Sequence, residues 1–335
     1  NLDLREGELV TLLGPSGSGK TTLLMTVAGL VPPTTGDIWI DGRLATHAPP
    51  DKRDIGIVFQ NYALFPHLSV FENIAFPLRM RRMAKTQIPS AVARALDIVQ
   101  LPHVAERLPR ELSGGQQQRI ALARCMVYEP SIILMDEPLG ALDRQLRDQM
   151  QLEIKTLHRR LGITVLYVTH DQEEAMAMSD RICLMNQGRI AQIGTPAELY
   201  FSPQSLFAAQ FLGESNILCA TVTAGGNAMA LIGPGGITLR ARNSGSETPG
   251  AQVNVLVRPE RLRLLGDGEP EDNIAAGEVE EVVFAGGYIR YFVRVAPEVV
   301  LAGKQLTDER AGTLQPGSHV RVGWCAVHSL VLPAR

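Results

Sequence analysis

The stretch that decides the fold lies near the start of the chain and reads Leu9-Val10-Thr11-Leu12-Leu13-Gly14-Pro15-Ser16-Gly17-Ser18-Gly19-Lys20-Thr21-Thr22. Its first five residues form an apolar run typical of a buried strand, and a helical pattern begins at Thr22. Residues 14–21 fit the pattern G-x-x-x-x-G-K-[ST], in which glycines turn backbone N–H groups inward around phosphate oxygens. The stretch therefore predicts a strand, a phosphate-binding loop and a helix in succession.

The side chains of this loop predict how a nucleotide is held. We expect Lys20 to reach the β- and γ-phosphates and Thr21 to place its hydroxyl on Mg²⁺, which prefers oxygen ligands. The helix that follows presents unpaired N–H groups and the positive end of its dipole to the same anion. The alternative is a glycine-rich turn without a ligand. The predicted phosphate-binding residues are Gly14, Pro15, Ser16, Gly17, Ser18, Gly19, Lys20, Thr21 and Thr22.

Two adjacent acids follow a second predicted strand. The apolar run Ile132–Met135 leads to Asp136 and Glu137, and the carboxyl edge of a parallel sheet is where α/β proteins bind ligands. Two neighbouring carboxylates are costly there without a cation. We therefore predict that Asp136 binds Mg²⁺ and that Glu137 is the general base for an attacking water. Standing alone, such a pair is more typical of a solvated loop start.

A third motif predicts a second phosphate site. In Ser113-Gly114-Gly115-Gln116 the serine and the glutamine three residues later form a capping-box pattern, which opens a helix running toward Val127. Two glycines in its first turn leave the unpaired N–H groups accessible to an anion. The alternative is a capped surface helix with an incidental glycine pair.

The organisation of the chain changes twice. Residues 9 to about 212 are mixed α/β, with a region of short helices and little strand character at about 62–130. The strand candidates are Leu9–Leu13, Ile55–Phe59, Ile132–Met135 and Ile163–Val168. After Asp143, apolar residues at helical spacing predict a crossover helix between two parallel strands. From residue 213 the pattern is β-rich, and Glu278–Phe284 with Tyr288–Val295 predicts a hairpin.

Composition excludes several classes of protein. The chain has 335 residues, of which 45% are hydrophobic, and its net charge of −3 gives no general attraction to nucleic acid. No apolar run approaches the roughly 18 to 20 residues needed to cross a bilayer, so a membrane role must come through a partner. The four cysteines are widely spaced, which favours reduced thiols over a disulfide framework.

Taken together, these motifs resemble the nucleotide-binding subunits of ATP-binding cassette (ABC) transporters. The motifs of that family occur in order as residues 14–21, Gln60, Leu112–Gln116, Ile132–Glu137, Ala141-Leu142-Asp143 and His170. The resemblance implies an α/β P-loop NTPase domain at 1–212, truncated at its N-terminus, with an inserted helical subdomain at about 62–130. Residues 213–335 resemble the all-β OB-like (TOBE) barrel domain of bacterial importers, through Gly213–Asn216 and Val257–Glu260.

The resemblance also implies the mechanism. Two subunits pack head to tail, so that Ser113 and Gly115 of one contact the γ-phosphate of ATP bound by the other. Gln60 senses Mg²⁺ and the attacking water, and His170 contacts the γ-phosphate and orients the catalytic carboxylate. Asp143 is expected to stabilise the dimer interface. Family members stack the adenine on an aromatic residue upstream of the loop, and none occurs among residues 1–13, so we expect that contact to lie outside this chain.

Further expectations concern partners and cargo. The resemblance implies two transmembrane permease subunits, a solute-binding protein acting through them, and a peripheral position on the cytoplasmic face of a bacterial inner membrane. The segment 60–67 is expected to expose aromatic and apolar residues that dock a permease helix; the alternative is a loop that packs into the core. Polyamines are the expected solute, with iron, sulfate, phosphonate and sugar importers as close relatives.

Two other functions stay open at this stage. Some cassette ATPases act on nucleic acid, but those of DNA repair carry long coiled-coil insertions, whereas about 90 residues separate the phosphate loop from Ser113 here. An OB-like domain can also bind oligonucleotides through basic and aromatic residues. Tyr288, Arg290, Phe292 and Arg294 could form such a face, although a solvated hairpin face is the simpler interpretation.

Overall fold

The structure is a computed structural model that describes residues 1–140, 142–224, 228–242, 247–307 and 314–334. The chain divides into two compact units, Asn1–Glu198 and Leu199–Arg335. The domain boundary expected between residues 212 and 213 stays a prediction. Ala141, which belongs to one of the six motifs, lies outside the described residues.

The first unit is built on a mainly parallel sheet. The strands of the unit are β1 (Leu9–Leu13), β2 (Trp39–Ile40), β3 (Arg43–Leu44), β4 (Ile55–Val58), β5 (Ile132–Asp136), β6 (Thr164–Thr169), β7 (Arg181–Asn186) and β8 (Arg189–Gly194). Strands β2 and β3 form a separate small hairpin, and the other six form the main sheet. The sheet order is β4-β5-β6-β1-β7-β8. All neighbours are parallel except β7 and β8. All four strands predicted from the sequence are therefore confirmed.

The α-helices are α1 (Lys20–Ala28), α2 (Val70–Met80), α3 (Ile88–Ile98), α4 (Gly114–Met126), α5 (Arg144–Leu161), α6 (Gln172–Met178), α7 (Pro196–Phe201) and α8 (Leu206–Phe211). The first unit holds helices α1 to α6, the helix α7 crosses the boundary between the units, and α8 belongs to the second unit. Every residue from 62 to 130 is described, and this region holds α2, α3 and α4 without a strand, as predicted. Within the described ranges, no helix combines the length and apolar character needed to span a bilayer.

Helix α5 is the predicted crossover between two neighbouring parallel strands, β5 and β6. Its apolar stripe packs into the main core of the unit. Met150 and Ile154 are at most 2% exposed, and Leu146 and Leu161 are partly buried against the same cluster. The helical spacing after Asp143 therefore reflects core packing, as the sequence indicates.

The second unit consists of two antiparallel five-stranded sheets, consistent with the expected OB-like barrel. The strands are β9 (Asn216–Ala224), β10 (Ala228–Ile232), β11 (Thr238–Arg242), β12 (Gln252–Val257), β13 (Arg263–Leu265), β14 (Asn273–Phe284), β15 (Tyr288–Ala296), β16 (Val299–Leu306), β17 (His319–Trp324) and β18 (Leu330–Pro333). The hairpin of β14 and β15 is confirmed. Strand β14 begins earlier than predicted because its first residues pair with β17.

Candidate active site

The phosphate-binding loop joins β1 to α1, and its lysine lies over the loop. Gly19 has φ +95°, a left-handed conformation, and caps α1. The Lys20 ammonium group donates hydrogen bonds to the carbonyl oxygens of Gly14 and Pro15 over 2.9 and 3.0 Å. Burial lowers the pKa of Lys20, while two nearby carboxylates act in the opposite direction. The positively charged Lys20 ammonium group thus lies at the loop, where the sequence predicts it.

The loop also fits a phosphate ligand. Gly17 has φ +78°, so this turn, like that at Gly19, needs a conformation that glycine adopts without steric cost. The hydroxyl of Ser18 is buried and has no hydrogen-bond partner among the described residues. Because buried polar atoms are normally paired, a bound acceptor such as a phosphate oxygen would complete this group.

A hydroxyl and a carboxylate meet at the end of β5. Thr21 donates from Oγ1 to Oδ1 of Asp136 over 3.2 Å. Burial is the main influence on the Asp136 pKa, which it raises, and the hydrogen bond from Thr21 opposes it. Both groups offer oxygen atoms, which Mg²⁺ prefers, and a nearby cation would stabilise the partly buried charge of Asp136. These two residues therefore fit the predicted magnesium site.

Glu137, the predicted general base, is contacted through both its side chain and its backbone. Oε1 of Glu137 lies 3.1 Å from Nδ1 of His170, and the two side chains are 24% and 61% exposed. The backbone N–H of Glu137 donates to the carbonyl oxygen of Val168 over 3.0 Å. Glu137 has φ +44°, a conformation that costs a non-glycine residue on the order of 1–3 kcal/mol. Backbone strain thus coincides with the carboxylate to which the sequence assigns chemistry.

Gln60 lies near Glu137, and both side chains approach Gly140. A Cβ atom on Gly140 would lie 3.6 Å from Nε2 of Gln60 and 3.8 Å from Oε2 of Glu137. The amide and the carboxylate therefore approach one point from different loops. The structure brings together all three predicted catalytic residues, Gln60, Glu137 and His170.

Strand register explains why these residues meet. The paired positions near the carboxyl ends of the strands are Val58 with Met135, Asp136 with Val168, and Leu13 with Thr169. Because these strands are parallel neighbours, the loops that follow them lie side by side at one edge of the sheet. Each of these loops carries one part of the predicted site.

The helix after the third motif begins as predicted. Oγ of Ser113 accepts from the N–H of Gln116 over 3.3 Å, and Oε1 of Gln116 accepts from the N–H of Ser113 over 3.0 Å. This reciprocal capping box is confirmed, and α4 ends one residue before Val127. The first turn of an α-helix has N–H groups without intrahelical partners and lies at the positive end of the dipole. Binding of a nucleotide from a second subunit stays a prediction.

The two glycines of this helix have a packing role that the sequence did not reveal. A Cβ atom on Gly115 would lie 3.2 Å from Cδ1 of Leu146, and one on Gly114 would lie 3.3 Å from Cδ2 of Leu142. Side chains at these positions would therefore press against Leu142, which precedes α5, and against Leu146 in the first turn of that helix. Glycine allows this close approach, in addition to keeping the N–H groups accessible as predicted.

Two residues near the site have contacts that sequence analysis missed. Asp143, expected at a dimer interface, caps α5, because its Oδ1 accepts from the N–H of Leu146 over 3.0 Å. An Asp directly before a helical stripe was the available signal. Arg124 donates to the carbonyl oxygens of Tyr62 and Ala63 over 2.9 and 2.7 Å. No sequence pattern connects those positions.

The expectation that segment 60–67 exposes its aromatic residues is wrong for Tyr62. This residue is 7% exposed and belongs to the main core. Tyr62 and Ala63 have φ +58° and +45°, a left-handed turn that the sequence pattern did not predict. Phe65 is half-buried, its ring centroid 4.7 Å from that of Phe76, which is 36% exposed. Permease docking at this segment stays a prediction.

The basic and aromatic residues of the second unit are largely paired within the chain. Arg290 forms an ion pair with Glu214 over 2.9 Å, and Arg294 forms one with Glu280 over 2.6 Å. The Arg290 guanidinium also lies 5.4 Å from the centre of the Phe292 ring. Nucleic-acid phosphates would have to compete with these carboxylates, which argues against the alternative function.

Comparison with known proteins agrees with this geometry. Residues 1–140 match the ABC transporter family and residues 255–332 match the TOBE domain. The chain is 48% identical over 335 residues to the spermidine/putrescine import ATP-binding protein PotA of Rubrobacter xylanophilus, covering 99% of this chain and 88% of the relative. The chain belongs to the ABC transporter family. The PotA of Thermobifida fusca is 44% identical, with coverage of 99% and 87%.

Solved structures of ABC proteins share the fold over 58–63% of this chain. The dimeric structure of MJ0796, a bacterial ABC transporter cassette, is 36% identical, with a TM-score of 0.52 over 58% of this chain and 88% of that chain. CbiO1 from Clostridium perfringens, part of an ABC transporter complex, is 29% identical, with a TM-score of 0.56 over 63% of this chain and 84% of that chain. This ABC chain is therefore an ATP-binding subunit with an ATPase fold.

Substitution of the loop lysine tests the phosphate site of this ABC subunit. We expect Lys20→Ala to weaken ATP binding about 10- to 150-fold, because hydrogen bonds from a charged donor contribute about 1.5–3 kcal/mol. Titration with a fluorescent ATP analogue measures the effect. Lys85→Ala removes the same charge at an exposed position and should bind like the unsubstituted chain. Equal affinity in the two variants would contradict the assignment of Lys20.

Proposed function

We propose that this ABC subunit hydrolyses ATP to drive the import of polyamines. The observation that carries the proposal is the convergence of Lys20, Asp136 and the Glu137–His170 pair at one edge of the sheet. The polyamine assignment is supported by relatives named spermidine/putrescine import ATP-binding protein, 42–48% identical over nearly the whole chain. The residues of the ATPase site do not determine which solute is carried. The polyamine assignment therefore rests on similarity along the whole chain.

The site residues divide the chemistry between them. Lys20 and the loop N–H groups bind the β- and γ-phosphates of ATP. Thr21 and Asp136, with Gln60, would hold Mg²⁺, which when bound offsets negative charge on those phosphates. Glu137 accepts a proton from the water that attacks the γ-phosphorus. As the new O–P bond forms, the bond between the γ-phosphorus and the β–γ bridging oxygen breaks, and that oxygen leaves with the electron pair as part of ADP. His170 orients the carboxylate and contacts the γ-phosphate.

We further propose that two copies of the chain complete each site. The capped terminus of α4, with Gly114 and Gly115 in its first turn, would provide a second anion-binding position, and the sequence has one phosphate-binding loop of its own. In a head-to-tail dimer, Ser113, Gly114, Gly115 and Gln116 would face the γ-phosphate bound by the partner. The dimeric structure of the MJ0796 cassette supports the formation of a dimer, as does a second dimeric structure of that cassette bound to ADP and Pi.

Transport by a reconstituted complex tests the proposal. We expect the chain to co-purify with two permease subunits, bound at the membrane face that is cytoplasmic in the cell. Proteoliposomes of this complex should accumulate radiolabelled spermidine or putrescine when its binding protein and MgATP are supplied. A non-hydrolysable ATP analogue is the control.

The outcomes of this experiment test the cargo and the import role separately. ATP-dependent uptake of sulfate, iron or a sugar in place of polyamines would overturn the cargo but keep the ATPase role. Nucleic-acid binding without any membrane partner would overturn the import role.

A further inference from the structure

A buried carboxylate that takes no part in the proposed chemistry fixes the strand that leads to His170. Glu174 on α6 is 3% exposed. Its Oε2 accepts hydrogen bonds from the hydroxyl of Tyr167 over 3.1 Å and from Oγ1 of Thr169 over 2.7 Å. Thr169 directly precedes His170. Burial raises the Glu174 pKa, and both hydrogen bonds act in the opposite direction, so the hydroxyls stabilise its charged form.

Arg147 on α5 connects this carboxylate to a second loop of the site. Its Nη2 donates to the carbonyl oxygen of Leu142 over 3.1 Å, in the loop that continues from Glu137. Its Nη1 donates to Oδ2 of Asp171 over 3.3 Å, and its Nε lies 3.8 Å from Oε1 of Glu174. One guanidinium group therefore contacts both the loop after β5 and the segment after β6.

Asp171 extends these contacts to the residue after His170. Its Oδ1 accepts from the N–H groups of Glu173 and Glu174 over 2.8 and 3.2 Å, which caps α6. Its own N–H donates to Oγ1 of Thr169 over 3.0 Å. The backbone is therefore fixed on both sides of His170, whose side chain is 61% exposed and meets Glu137. An exposed ring can keep one position when its backbone is fixed in this way.

We propose that Arg147 and Glu174 are positioning residues for ATP hydrolysis. They hold the segment that carries His170 in register with the loop that carries Glu137, and so maintain the contact between these two side chains. The inference rests on the proposed ATPase function, but not on the identity of the transported solute. Small displacements of about 1 Å at a reacting group can cost about 100-fold in rate, so contacts that act only through position can still control turnover.

Steady-state kinetics of the full chain test the proposal. We expect Arg147→Met to lower kcat about 10- to 100-fold while KM for MgATP changes less than about twofold, because Arg147 acts on the position of the catalytic pair. Glu174→Gln keeps an acceptor for the hydroxyls but loses its charge toward Arg147, and should lower kcat about 10-fold. Arg159→Met, at an exposed position on the same helix, is the matched control and should keep wild-type kcat.

A double substitution separates positioning from general damage. If the two residues act as one unit, Arg147→Met with Glu174→Gln should be no slower than the slower single variant, because effects within one network are not additive. Arg147→Lys keeps the charge with fewer donors and should give an intermediate kcat, and it replaces Arg147→Met if that variant does not fold. Thermal unfolding and ATP binding are measured for every variant.

Different results would overturn the positioning role and the proposed ATPase function. Wild-type kcat in Arg147→Met or Arg147→Lys, losses that multiply in the double variant, or an equal loss in Arg159→Met would each overturn the positioning role. Absence of ATP hydrolysis by the unsubstituted chain would overturn the proposed function itself.

Discussion

Replacing Glu137 by Gln is expected to lower ATP turnover at least about 100-fold while ATP binding persists. A general base contributes roughly 10²- to 10⁴-fold to such a reaction, and an amide cannot accept the proton of the attacking water. Gln has the shape of Glu, so the backbone at φ +44° and the approach of His170 should be preserved. The phosphates are bound by a different segment, the loop around Lys20.

Two measurements check this prediction. Phosphate release gives the turnover, and size-exclusion chromatography with ATP and Mg²⁺ should show a dimer accumulating, because bound ATP is no longer hydrolysed. Glu106→Gln, the same change at an exposed position, should retain the turnover of the unsubstituted chain. A Glu137→Gln variant with normal turnover would contradict the assignment of the general base.

Replacing Arg258 by Met is expected to lower the free energy of unfolding of the second unit by about 3–4 kcal/mol. Arg258 is 5% exposed. Its Nη2 donates to the carbonyl oxygen of Tyr200, and the two N–H groups of its Nη1 are shared among four acceptors: the carbonyl oxygens of Ala209, Gly213 and Glu214, and Oγ of Ser215. It also lies 4.3 Å from the centre of the Tyr200 ring. Each buried acceptor left unpaired costs about 1–3 kcal/mol, and water that enters the site recovers part of this.

Tryptophan fluorescence during urea denaturation measures this effect. The chain has two tryptophans: Trp324 is 1% exposed in the second unit, whereas Trp39 is 63% exposed in the first. The red shift on unfolding therefore reports mainly on the second unit. Arg263→Met is the matched control, because Arg263 forms ion pairs with Glu269 and Glu271 but is 62% exposed, and surface pairs contribute only about 0–1 kcal/mol. Similar midpoints for the two variants would contradict the prediction.

Much of the site could be predicted because its signals are local. The loop pattern at 14–21 lies between an apolar run and a helical pattern, and the capping box at Ser113 and Gln116 needs only a spacing of three residues. The apolar run at Ile132–Met135 likewise places Asp136 and Glu137 at a strand end. In each case, neighbours in sequence are also neighbours in space, so the sequence contains the geometry.

The errors and omissions arise where the geometry depends on distant residues. Tyr62 was expected at the surface because, in the family that the motifs resemble, the segment 60–67 borders a groove that receives a permease helix. The left-handed turn at Tyr62 and Ala63 places it in the core instead. Likewise, the contact of Gly115 with Leu146 depends on how α4 packs against α5, which no spacing within either helix predicts.

The sequence by itself determined the chemical groups of this ABC subunit, the order of its motifs, four strands of its sheet and the β-rich character of its C-terminal part. These follow from apolar periodicity and from turn and capping residues, which act over a few positions of the chain. Only the tertiary structure decided that Gln60, Glu137 and His170 meet, and that Arg147 connects Leu142 to Asp171 and Glu174. These contacts depend on strand order and register across the sheet, where burial and packing act between residues that are far apart in sequence.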